Sequence, residues 1–314
     1  MSAAVACLLP GQGAQAVGMG KAFYDRVPES RDVYKRANAH LSFDVAALCF
    51  EGPLEELTKT ARCQPALFVT SVAAFAAFRT LFPSLTPLAA AGLSLGELTA
   101  FAIAESLRFT DALYLVQARA DAMAECTAHH PGTMLAVIGL DRGAIQEICL
   151  DAGVVAANVN AHDQVVLSGT IPAIEEAERL AKAKSAKRAM RLEVAGAFHS
   201  PLMQEASDRF RQAVAKISFS APKFPVISNV TGQAVSDPQA IPEILVKQIV
   251  SPVQWEASMR YLVGQRAAVF VEFPPARVLT ALLRRIDSTV KGVTIDEPAD
   301  FDKLSALLNP SAVS

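Results

Sequence analysis

Ser94 is the residue whose neighbours most clearly suggest chemistry. It lies in the stretch Gly92-Leu93-Ser94-Leu95-Gly96, which fits the G-x-S-x-G pattern of a nucleophilic serine on a strand-to-helix turn. Flanking glycines leave room for such a turn, and the backbone N–H of Leu95 is then free to stabilise an oxyanion. A tight turn with a passive serine is the alternative. The strand predicted before the motif, the helix predicted after it and an acid, Glu97, in the first turn of that helix favour a nucleophile.

A serine nucleophile needs a base, and the chain has five histidines. Four of them fall in polar helical, loop or hairpin-turn sequence that is typical of solvated side chains: His40, His129, His130 and His162. His199 instead lies in a loop of small residues at a predicted domain seam, where clefts form. His199 is therefore the candidate base, with a structural role as the alternative. A metal site formed by Cys126 with His129 and His130 is a weaker possibility, and we expect no metal.

A glycine-bearing loop, Gly11-Gln12-Gly13-Ala14-Gln15, follows the apolar strand predicted over Val5–Leu9. It matches the looser dinucleotide-binding fingerprint, which also requires an acid at the tip of the next strand. Here Glu29 and Asp32 fall in helical sequence instead. We therefore expect the loop to offer backbone N–H groups to an anion rather than to hold a nicotinamide cofactor.

The pattern of apolar residues predicts the elements that position these groups. A second strand is expected over residues 88–92, directly before the serine motif. Helices are expected over residues 21–40, 51–62, 65–82 and 98–104. The third of these is apolar nearly all round, which is typical of a buried helix. Strand, sharp turn and helix is therefore the path predicted around Ser94.

Residues 133–195 have a different texture and predict a separate unit. Strands are expected over residues 134–140, 154–161, 164–169 and 188–194, with helices over 142–151 and 172–185. This βαββαβ order is that of a ferredoxin-like subdomain. Helices and strands resume beyond it, over residues 201–216, 226–229, 242–249, 257–263 and 268–273. We therefore predict a large domain of residues 1–132 and 196–314, interrupted by a small subdomain of residues 133–195.

Composition excludes several classes of protein. The 314 residues include 29 basic and 31 acidic side chains, a formal charge of −2, and 52% are hydrophobic, which argues against disorder and against nucleic-acid binding. The longest charge-free apolar stretches, residues 63–78 and 80–96, fall short of the ~20 residues that span a membrane. No basic region precedes the first apolar run, so we expect no signal peptide. Five cysteines without a C-x-x-C pair predict a reducing compartment, without disulfides or a zinc site.

As a set, the motifs resemble the malonyl-CoA:acyl carrier protein transacylases of fatty-acid and polyketide synthesis, over nearly the whole chain. The matching stretches, in order, are Pro10-Gly11-Gln12-Gly13-Ala14-Gln15 with Gly18-Met19-Gly20, Gly92-Leu93-Ser94-Leu95-Gly96-Glu97, Arg119 within residues 117–123, Gly196-Ala197-Phe198-His199-Ser200, and Gln248 before Ser251-Pro252-Val253-Gln254-Trp255. The resemblance implies an α/β fold, with an α/β-hydrolase-like domain built on a parallel sheet and interrupted by the ferredoxin-like subdomain.

The resemblance also implies residue roles in a malonyl transfer. Ser94 would attack the thioester of malonyl-CoA, and His199 would take and later return the proton. The other implied roles are an oxyanion site from the backbone N–H groups of Gln12 and Leu95, a carboxylate-binding guanidinium at Arg119, a histidine-orienting backbone carbonyl near Gln248, and a malonyl-selective pocket residue at Phe198.

Malonyl-CoA and a holo acyl carrier protein are the implied substrate and partner, with no bound cofactor, nucleic acid or membrane. Such carriers are acidic, so a basic rim is expected from Lys182, Lys184, Lys187 and Arg188, or from Arg284 and Arg285, although solvated helix faces would look the same. The expected setting is the cytoplasm or an organelle with a reducing interior. We expect a monomer, because nothing marks a long edge strand or an amphipathic seam.

Two positions depart from the family pattern. Leu93 stands where many members have histidine, and Phe273-Pro274-Pro275-Ala276-Arg277 replaces a glycine-proline-glycine turn. The sequence is also compatible with two other functions. One is an esterase or thioesterase on the same scaffold, and the other is a carrier-binding scaffold without activity.

Overall fold

The computed structural model describes residues 4–275 and 277–308. In chain order, its β-strands are β1 Val5–Leu9, β2 Ala89–Gly92, β3 Thr133–Ile138, β4 Val155–Ala161, β5 Gln164–Gly169, β6 Arg188–Arg191, β7 Val226–Ile227, β8 Ala234–Val235, β9 Val269–Glu272 and β10 Lys291–Thr294. Its α-helices are α1 Lys21–Arg26, α2 Pro28–Asn38, α3 Val45–Glu51, α4 Leu54–Thr58, α5 Thr60–Leu81, α6 Leu95–Ile103, α7 Phe109–His129, α8 Arg142–Ala152, α9 Ile171–Ala183, α10 Gln204–Val214, α11 Ile241–Gln248, α12 Trp255–Gly264, α13 Leu279–Ile286 and α14 Phe301–Leu308.

The larger sheet has the strand order β10-β9-β1-β2-β7-β8. Its neighbouring strands are parallel except for β7 and β8, which are antiparallel. All five residues of β1 are buried, because helices cover both faces of the sheet. Val5, Cys7 and Leu9 pack into the core that contains α5 and α7, whereas Ala6 and Leu8 pack into the core that contains α12 and α13. Because β1 and β2 are parallel and Leu9 pairs with Gly92, the carboxyl ends of these strands lie side by side.

The smaller sheet is antiparallel, with the strand order β4-β5-β3-β6. One face packs on α8 and α9 around Leu135, Val137 and Leu167. The alternating residues of β3 and β5, among them Met134 and Val166, face the larger core. The predicted fold class is confirmed, including the βαββαβ order of this unit. The domain limits at residues 133 and 195 stay a prediction, and positions 1–3, 276 and 309–314 of the predicted large domain lie outside the described residues.

Backbone hydrogen bonds and an ion pair with a buried carboxylate join the smaller sheet and its helices to the larger unit. Val253 donates its N–H to the Ala157 carbonyl (2.8 Å) and accepts from the Val159 N–H (2.9 Å), which extends β4 onto the larger unit. Nearby, Arg142 on α8 reaches the buried carboxylate of Glu256 on α12 at 2.7 Å. These contacts hold the smaller sheet against the larger unit. Its open face, the one not covered by α8 and α9, forms one side of a cleft.

Prolines and glycines explain why the predicted helices differ from the observed ones. The single helix expected over residues 21–40 is wrong: it breaks between α1 and α2 at Val27, which is extended (φ −120°, ψ 112°) because it precedes Pro28. The helix expected over residues 51–62 is also wrong, since Gly52 and Pro53 separate α3 from α4. Helix α6 begins directly after Ser94 rather than at residue 98. His129, expected in a loop, is the last residue of α7.

Helix α5 is long and apolar enough to cross a membrane by length and composition alone. The charge-free stretch of residues 63–78 is shorter than this helix. Arg62 and Arg79 end that stretch, but both lie within the helix at positions that are not fully buried. Of its most apolar stretch, 78% is buried inside the protein. A core helix passes the same test, so this single helix is weak evidence for a membrane span.

Candidate active site

Ser94 lies on a strained turn between β2 and α6. Its backbone has φ 52° and ψ −105°, a region that costs a non-glycine residue on the order of 1–3 kcal/mol. A Cβ on Gly92 would lie 1.9 Å from the carbonyl carbon of Gly96, and a Cβ on Gly96 would lie 2.2 Å from the Leu9 carbonyl oxygen. Only glycine fits at either position, so the motif holds the serine at the carboxyl end of β2.

His199 faces Ser94 directly. Its Nε2 lies 2.7 Å from Ser94 Oγ, and its Nδ1 lies 2.9 Å from the backbone carbonyl oxygen of Gln248. A carbonyl oxygen only accepts, so Nδ1 carries the proton and Nε2 accepts from the serine hydroxyl. His199 itself has a left-handed backbone (φ 57°) in the loop between β6 and α10. The sequence-derived pair is thus brought together with the serine proton directed at the imidazole.

Burial keeps the His199 ring neutral. Desolvation, followed by the positive charge of Arg119, lowers the pKa of His199 to about 4, against a smaller upward effect of the hydrogen bond to Gln248. The imidazole is therefore unprotonated at neutral pH and able to take a proton from Ser94.

Arg119 projects from α7 into the same place, with 1% of its surface exposed. Its guanidinium donates to Gln64 Oε1 at 2.7 Å, to Gln248 Oε1 at 2.8 Å and to Ser94 Oγ at 3.0 Å. Desolvation lowers the pKa of Arg119 to about 10, while Glu97 acts to raise it, so the side chain stays charged at neutral pH. Within the described part of the chain, no carboxylate forms an ion pair with it. A buried cation next to a nucleophile is suited to an anionic ligand.

The loop after β1 packs against the serine turn. A Cβ on Gly11 would lie 2.4 Å from the Leu93 carbonyl oxygen, so a larger residue there would push the loop away. Gln12 and Leu95 both line the cleft beside Ser94. In residues 4–275 and 277–308, neither backbone N–H donates to another protein group. Leu95 is also the first residue of α6, where the helix dipole favours negative charge.

These groups line one cleft of about 310 Å³ between the two sheets. Its apolar wall includes Phe198, which is 6% exposed. Asn160 also lines it, and its buried Oδ1 has no partner among the described residues. Further residues of the lining come from the open face of the smaller sheet: Met134, Ala136, Ile138, Val166, Met190 and Leu192.

A larger groove of about 910 Å³ lies elsewhere, bordered by Arg36, Glu105, Arg108 and Lys216. It contains no paired serine and histidine, so we place the site in the smaller cleft. The donors around Ser94 are a hydroxyl, an imidazole, a guanidinium and amides, which is not a metal-binding set. Cys126, His129 and His130 do not form one either: His129 and His130 instead contact Glu205 at the surface.

Sequence reasoning missed the polar residues that hold the site groups in place. Asn229 accepts from the Ser94 N–H (2.7 Å) and donates to the Gly92 carbonyl (2.7 Å), and Gln64 accepts from Arg119. Glu97, noted only as a first-turn acid, is fully buried. The signal for Asn229 was its place at the end of the segment predicted over residues 226–229, since ligands bind at the carboxyl ends of parallel strands.

Comparison with known proteins gives a consistent result. A family model described as the acyl transferase domain matches residues 7–296. The malonyl CoA-acyl carrier protein transacylase of Bacillus subtilis (strain 168) is 37% identical over 303 residues, covering 95% of both chains. The corresponding protein of Escherichia coli (strain K12) is 38% identical over 298 residues, covering 94% of this chain and 96% of that one.

Solved structures agree over the full length. The malonyl CoA-acyl carrier protein transacylase from Coxiella burnetii superposes with a TM-score of 0.95 at 36% identity, covering 98% of both chains. A malonyl-transacylase solved in complex with a type II PKS acyl-carrier protein gives a TM-score of 0.92 at 34% identity, covering 98% of this chain and all of that one (100%).

Proposed function

This chain belongs to the acyl transferase domain family, and we propose that it transfers a malonyl group from malonyl-CoA to the phosphopantetheine thiol of an acyl carrier protein. It is an S-malonyltransferase that supplies the extender unit for fatty-acid synthesis. The observation that carries the proposal is the buried guanidinium of Arg119, which lies 3.0 Å from the Ser94 hydroxyl and forms no ion pair with any carboxylate of residues 4–275 and 277–308. Malonate provides the missing carboxylate, at a short distance from its thioester carbonyl.

In the first half-reaction, Ser94 Oγ attacks the thioester carbonyl and its proton passes to His199 Nε2. The Nδ1–H bond to the Gln248 carbonyl orients the ring and stabilises the imidazolium. The oxyanion accepts from the backbone N–H groups of Gln12 and Leu95. The C–S bond then breaks, and His199 returns its proton to the departing CoA thiolate. The product is malonyl-Ser94.

The second half-reaction repeats these steps with a new nucleophile. The thiol of the carrier's phosphopantetheine gives its proton to His199 and attacks the ester carbonyl of malonyl-Ser94. The ester C–O bond breaks, and Ser94 Oγ takes the proton back from His199. Because CoA leaves before the carrier enters, the kinetics are ping-pong. Asn160 supports the same arm in both substrates, since its free Oδ1 is an acceptor for a pantetheine amide N–H.

Arg119 selects the acyl group. A planar guanidinium binds the malonate carboxylate through two parallel hydrogen bonds, and the buried setting makes an uncharged acyl group a poor replacement. Phe198 occupies the neighbouring wall and limits the space for a branched acyl group. His199 is oriented by a carbonyl and not by a carboxylate, which distinguishes this site from the Ser–acid–His arrangement expected of an esterase.

A basic rim around the cleft mouth is the proposed docking site for the acidic carrier. Among the candidates from sequence, Lys182 and Lys184 are engaged by glutamates, and Arg285 pairs with Asp163 at 2.7 Å. Within the described residues, Lys187, Arg188 and Arg284 form no ion pair and are exposed. Arg188 pairs across the sheet with Ile138, which lines the cleft. We therefore propose these three exposed residues as the carrier contact, with Arg188 the one that the strand register places beside a residue of the cleft.

Other properties follow from the same proposal. The chemistry needs no bound cofactor, because Ser94 carries the acyl group itself. All five cysteines are free thiols, which suits the cytoplasm or another reducing compartment. We propose a monomer, divided into a large domain of residues 1–132 and 196–314 and a subdomain of residues 133–195.

Acyl-group selectivity and the fate of the acyl group test the proposal together. Wild type should transfer labelled malonyl to the carrier thiol faster than to water, and Ser94→Ala should do neither. Arg119→Met should lower kcat/KM for malonyl-CoA about 10- to 100-fold while sparing acetyl-CoA, since a charge-assisted pair contributes about 1.5–3 kcal/mol. Release of free malonate as the main product would instead identify a hydrolase.

A further inference from the structure

Glu97 is a fully buried carboxylate that lies behind the cleft and does not line it. Its Oε1 accepts from the backbone N–H of Asn229 at 3.0 Å, and its Oε2 accepts from Nε2 of Gln248. The steps of acyl transfer described above make no use of this charge. A buried carboxylate is costly to desolvate unless its bonds serve the structure around it.

Two of the partners of Glu97, Asn229 and Gln248, hold the Ser94 peptide from both sides. Asn229 Oδ1 accepts from the Ser94 N–H at 2.7 Å, and Gln248 Nε2 donates to the Ser94 carbonyl at 2.8 Å. The strained backbone of Ser94 persists only where the surroundings fix it on several sides. Glu97 therefore connects the two clamps on the nucleophile.

Glu97 also determines which way the Gln248 amide points. An ionised carboxylate only accepts, so it fixes the NH₂ end of Gln248 towards itself and towards the Ser94 carbonyl. The amide oxygen then faces Arg119, from which it accepts at 2.8 Å. With the amide reversed, NH₂ would face the guanidinium and two donors would oppose each other. The orientation of Arg119 thus depends on the charge state of a residue that it does not touch.

We propose that Glu97 is a positioning residue for acyl transfer, which acts through the side chain of Gln248 to hold Ser94 and Arg119 in their reactive arrangement. This inference rests on the proposed malonyl transfer and deepens it. Burial raises the pKa of Glu97 to about 7, while the bonds from Asn229 and Gln248 and the charge of Arg119 act in the opposite direction. The network around Arg119 is thus coupled to the ionised form of Glu97.

The first test is Glu97→Gln in the full chain. Its amide oxygen still accepts from Asn229, but its NH₂ opposes the NH₂ of Gln248, so Gln248 reverses and Arg119 is displaced. We expect labelling of Ser94 by a fluorophosphonate, which carries no carboxylate, to slow at least tenfold. The preference for malonyl-CoA over acetyl-CoA should fall by a similar factor, through a raised KM for malonyl-CoA.

Glu272→Gln is the matched control, because Glu272 is equally buried but its carboxylate caps α13 and, among the described residues, bonds to none of Ser94, Asn229 and Gln248. It should lower the Tm at least as much as Glu97→Gln and change the labelling rate less than twofold. If the activity of Glu97→Gln follows its Tm in the same way as the control, the proposal is wrong.

A double-mutant cycle separates positioning from a general structural role. In a Gln248→Met background the amide is absent, so adding Glu97→Gln should change the labelling rate less than twofold. A full additional tenfold loss would contradict an action through Gln248. If Glu97→Gln fails to fold, Glu97→Asp replaces it, since this variant keeps the charge but has a side chain one methylene shorter. It should slow the labelling to the same extent, and its effect should likewise disappear in the Gln248→Met background.

The outcomes for the two proposals are distinguishable. If wild type forms no malonyl-Ser94, the proposed function fails. If wild type forms it and Glu97→Gln forms it equally fast with an unchanged malonyl preference, only the role of Glu97 fails.

Discussion

Arg119 and His199 share one buried site, and the charge of Arg119 affects the protonation of His199. The guanidinium lowers the tendency of the imidazole to take a proton, in addition to the larger effect of desolvation. A malonate carboxylate bound to Arg119 neutralises that positive charge and raises the basicity of His199 when the serine proton must be taken. An acyl group without a carboxylate gives no such gain, so selectivity and base strength are connected.

The first prediction concerns the pH dependence of Ser94 reactivity. Protonation of Glu97, whose pKa is raised to about 7, should cause a first, partial loss of rate. The remaining rate then falls on an acid limb set by the neutral base His199, whose pKa is lowered to about 4. Arg119→Met removes the positive charge, so the pKa should rise towards the ordinary value of about 6.5 and the acid limb should move to higher pH. The rate of fluorophosphonate labelling as a function of pH measures this. An acid limb that stays in place or moves lower would contradict the coupling.

Sequence reasoning identified the residues that act on substrate more readily than those that position them. Ser94 lies in a motif with steric requirements, and His199 stood apart from four histidines in solvated sequence. Arg119 and Gln248 came only from resemblance. Asn229 belongs to no motif, and Glu97 was noted only as the acid that ends the serine motif, because their roles arise where segments distant in the chain meet. Such roles follow from tertiary contacts and are not encoded in local spacing.

Among the secondary-structure elements, the turns after the strands position the site residues, and the first residues of the following helices hold these turns in place. β2, the Ser94 turn and α6 follow the path predicted from sequence, since glycine and apolar patterning constrain it locally. The loop 273–277 was a point of departure from the family pattern. Pro274–Pro275 has a cis peptide bond, and Ala276 lies outside the described residues. Glu272, directly before it, caps α13 through bonds from Leu279 N–H and from the Thr280 N–H and hydroxyl.

The second prediction concerns this cap. Glu272→Gln leaves one acceptor oxygen where two served the helix terminus, and its NH₂ faces backbone donors. We expect a loss of about 2 kcal/mol in the free energy of unfolding, within the range for buried hydrogen bonds to charged groups. Urea denaturation at neutral pH measures the change. A loss under about 0.5 kcal/mol would show that the cap contributes little.

Element boundaries were predicted less well than element order. The helix expected over residues 21–40 ignored the restriction that Pro28 places on Val27, which local chemistry could have shown. Strands β8 and β10 have no clear pattern because they are short and lie at the edges of the sheet. Their existence depends on the neighbouring strands β7 and β9, which a single segment of sequence does not reveal.

At the scale of the whole molecule, two sheets form a cleft that neither forms alone. The larger sheet provides the turn with Ser94, and the open face of the smaller sheet provides an apolar wall. The order of elements, βαββαβ within a larger α/β unit, was the part of the fold predicted most completely from the sequence. The packing of the smaller sheet over Ser94 was not predictable, because it depends on contacts such as Val253 with β4. The net charge of −2 is a sum over the whole chain and carries no information about the proposed basic rim.

The third prediction tests that rim. Arg188→Glu and Arg284→Glu together should raise KM for the carrier about tenfold or more, and leave KM for malonyl-CoA within twofold, because rim charges act on the acidic partner. The effect should shrink at high salt. Lys216→Glu, in the separate groove, reverses a charge away from the cleft and is the control. An equal effect of the control on KM for the carrier would mean that net charge, and not the rim, guides docking.

In the proposed mechanism Ser94 carries the malonyl group between two thiols, and intact mass spectrometry detects this covalent intermediate. After mixing with malonyl-CoA, the wild-type chain should gain one malonyl group, and holo acyl carrier protein should then remove it and gain the same mass. Ser94→Ala should gain nothing, whereas Arg119→Met should gain malonyl slowly. An adduct that persists in Ser94→Ala, or no adduct on the wild-type chain, would contradict the mechanism.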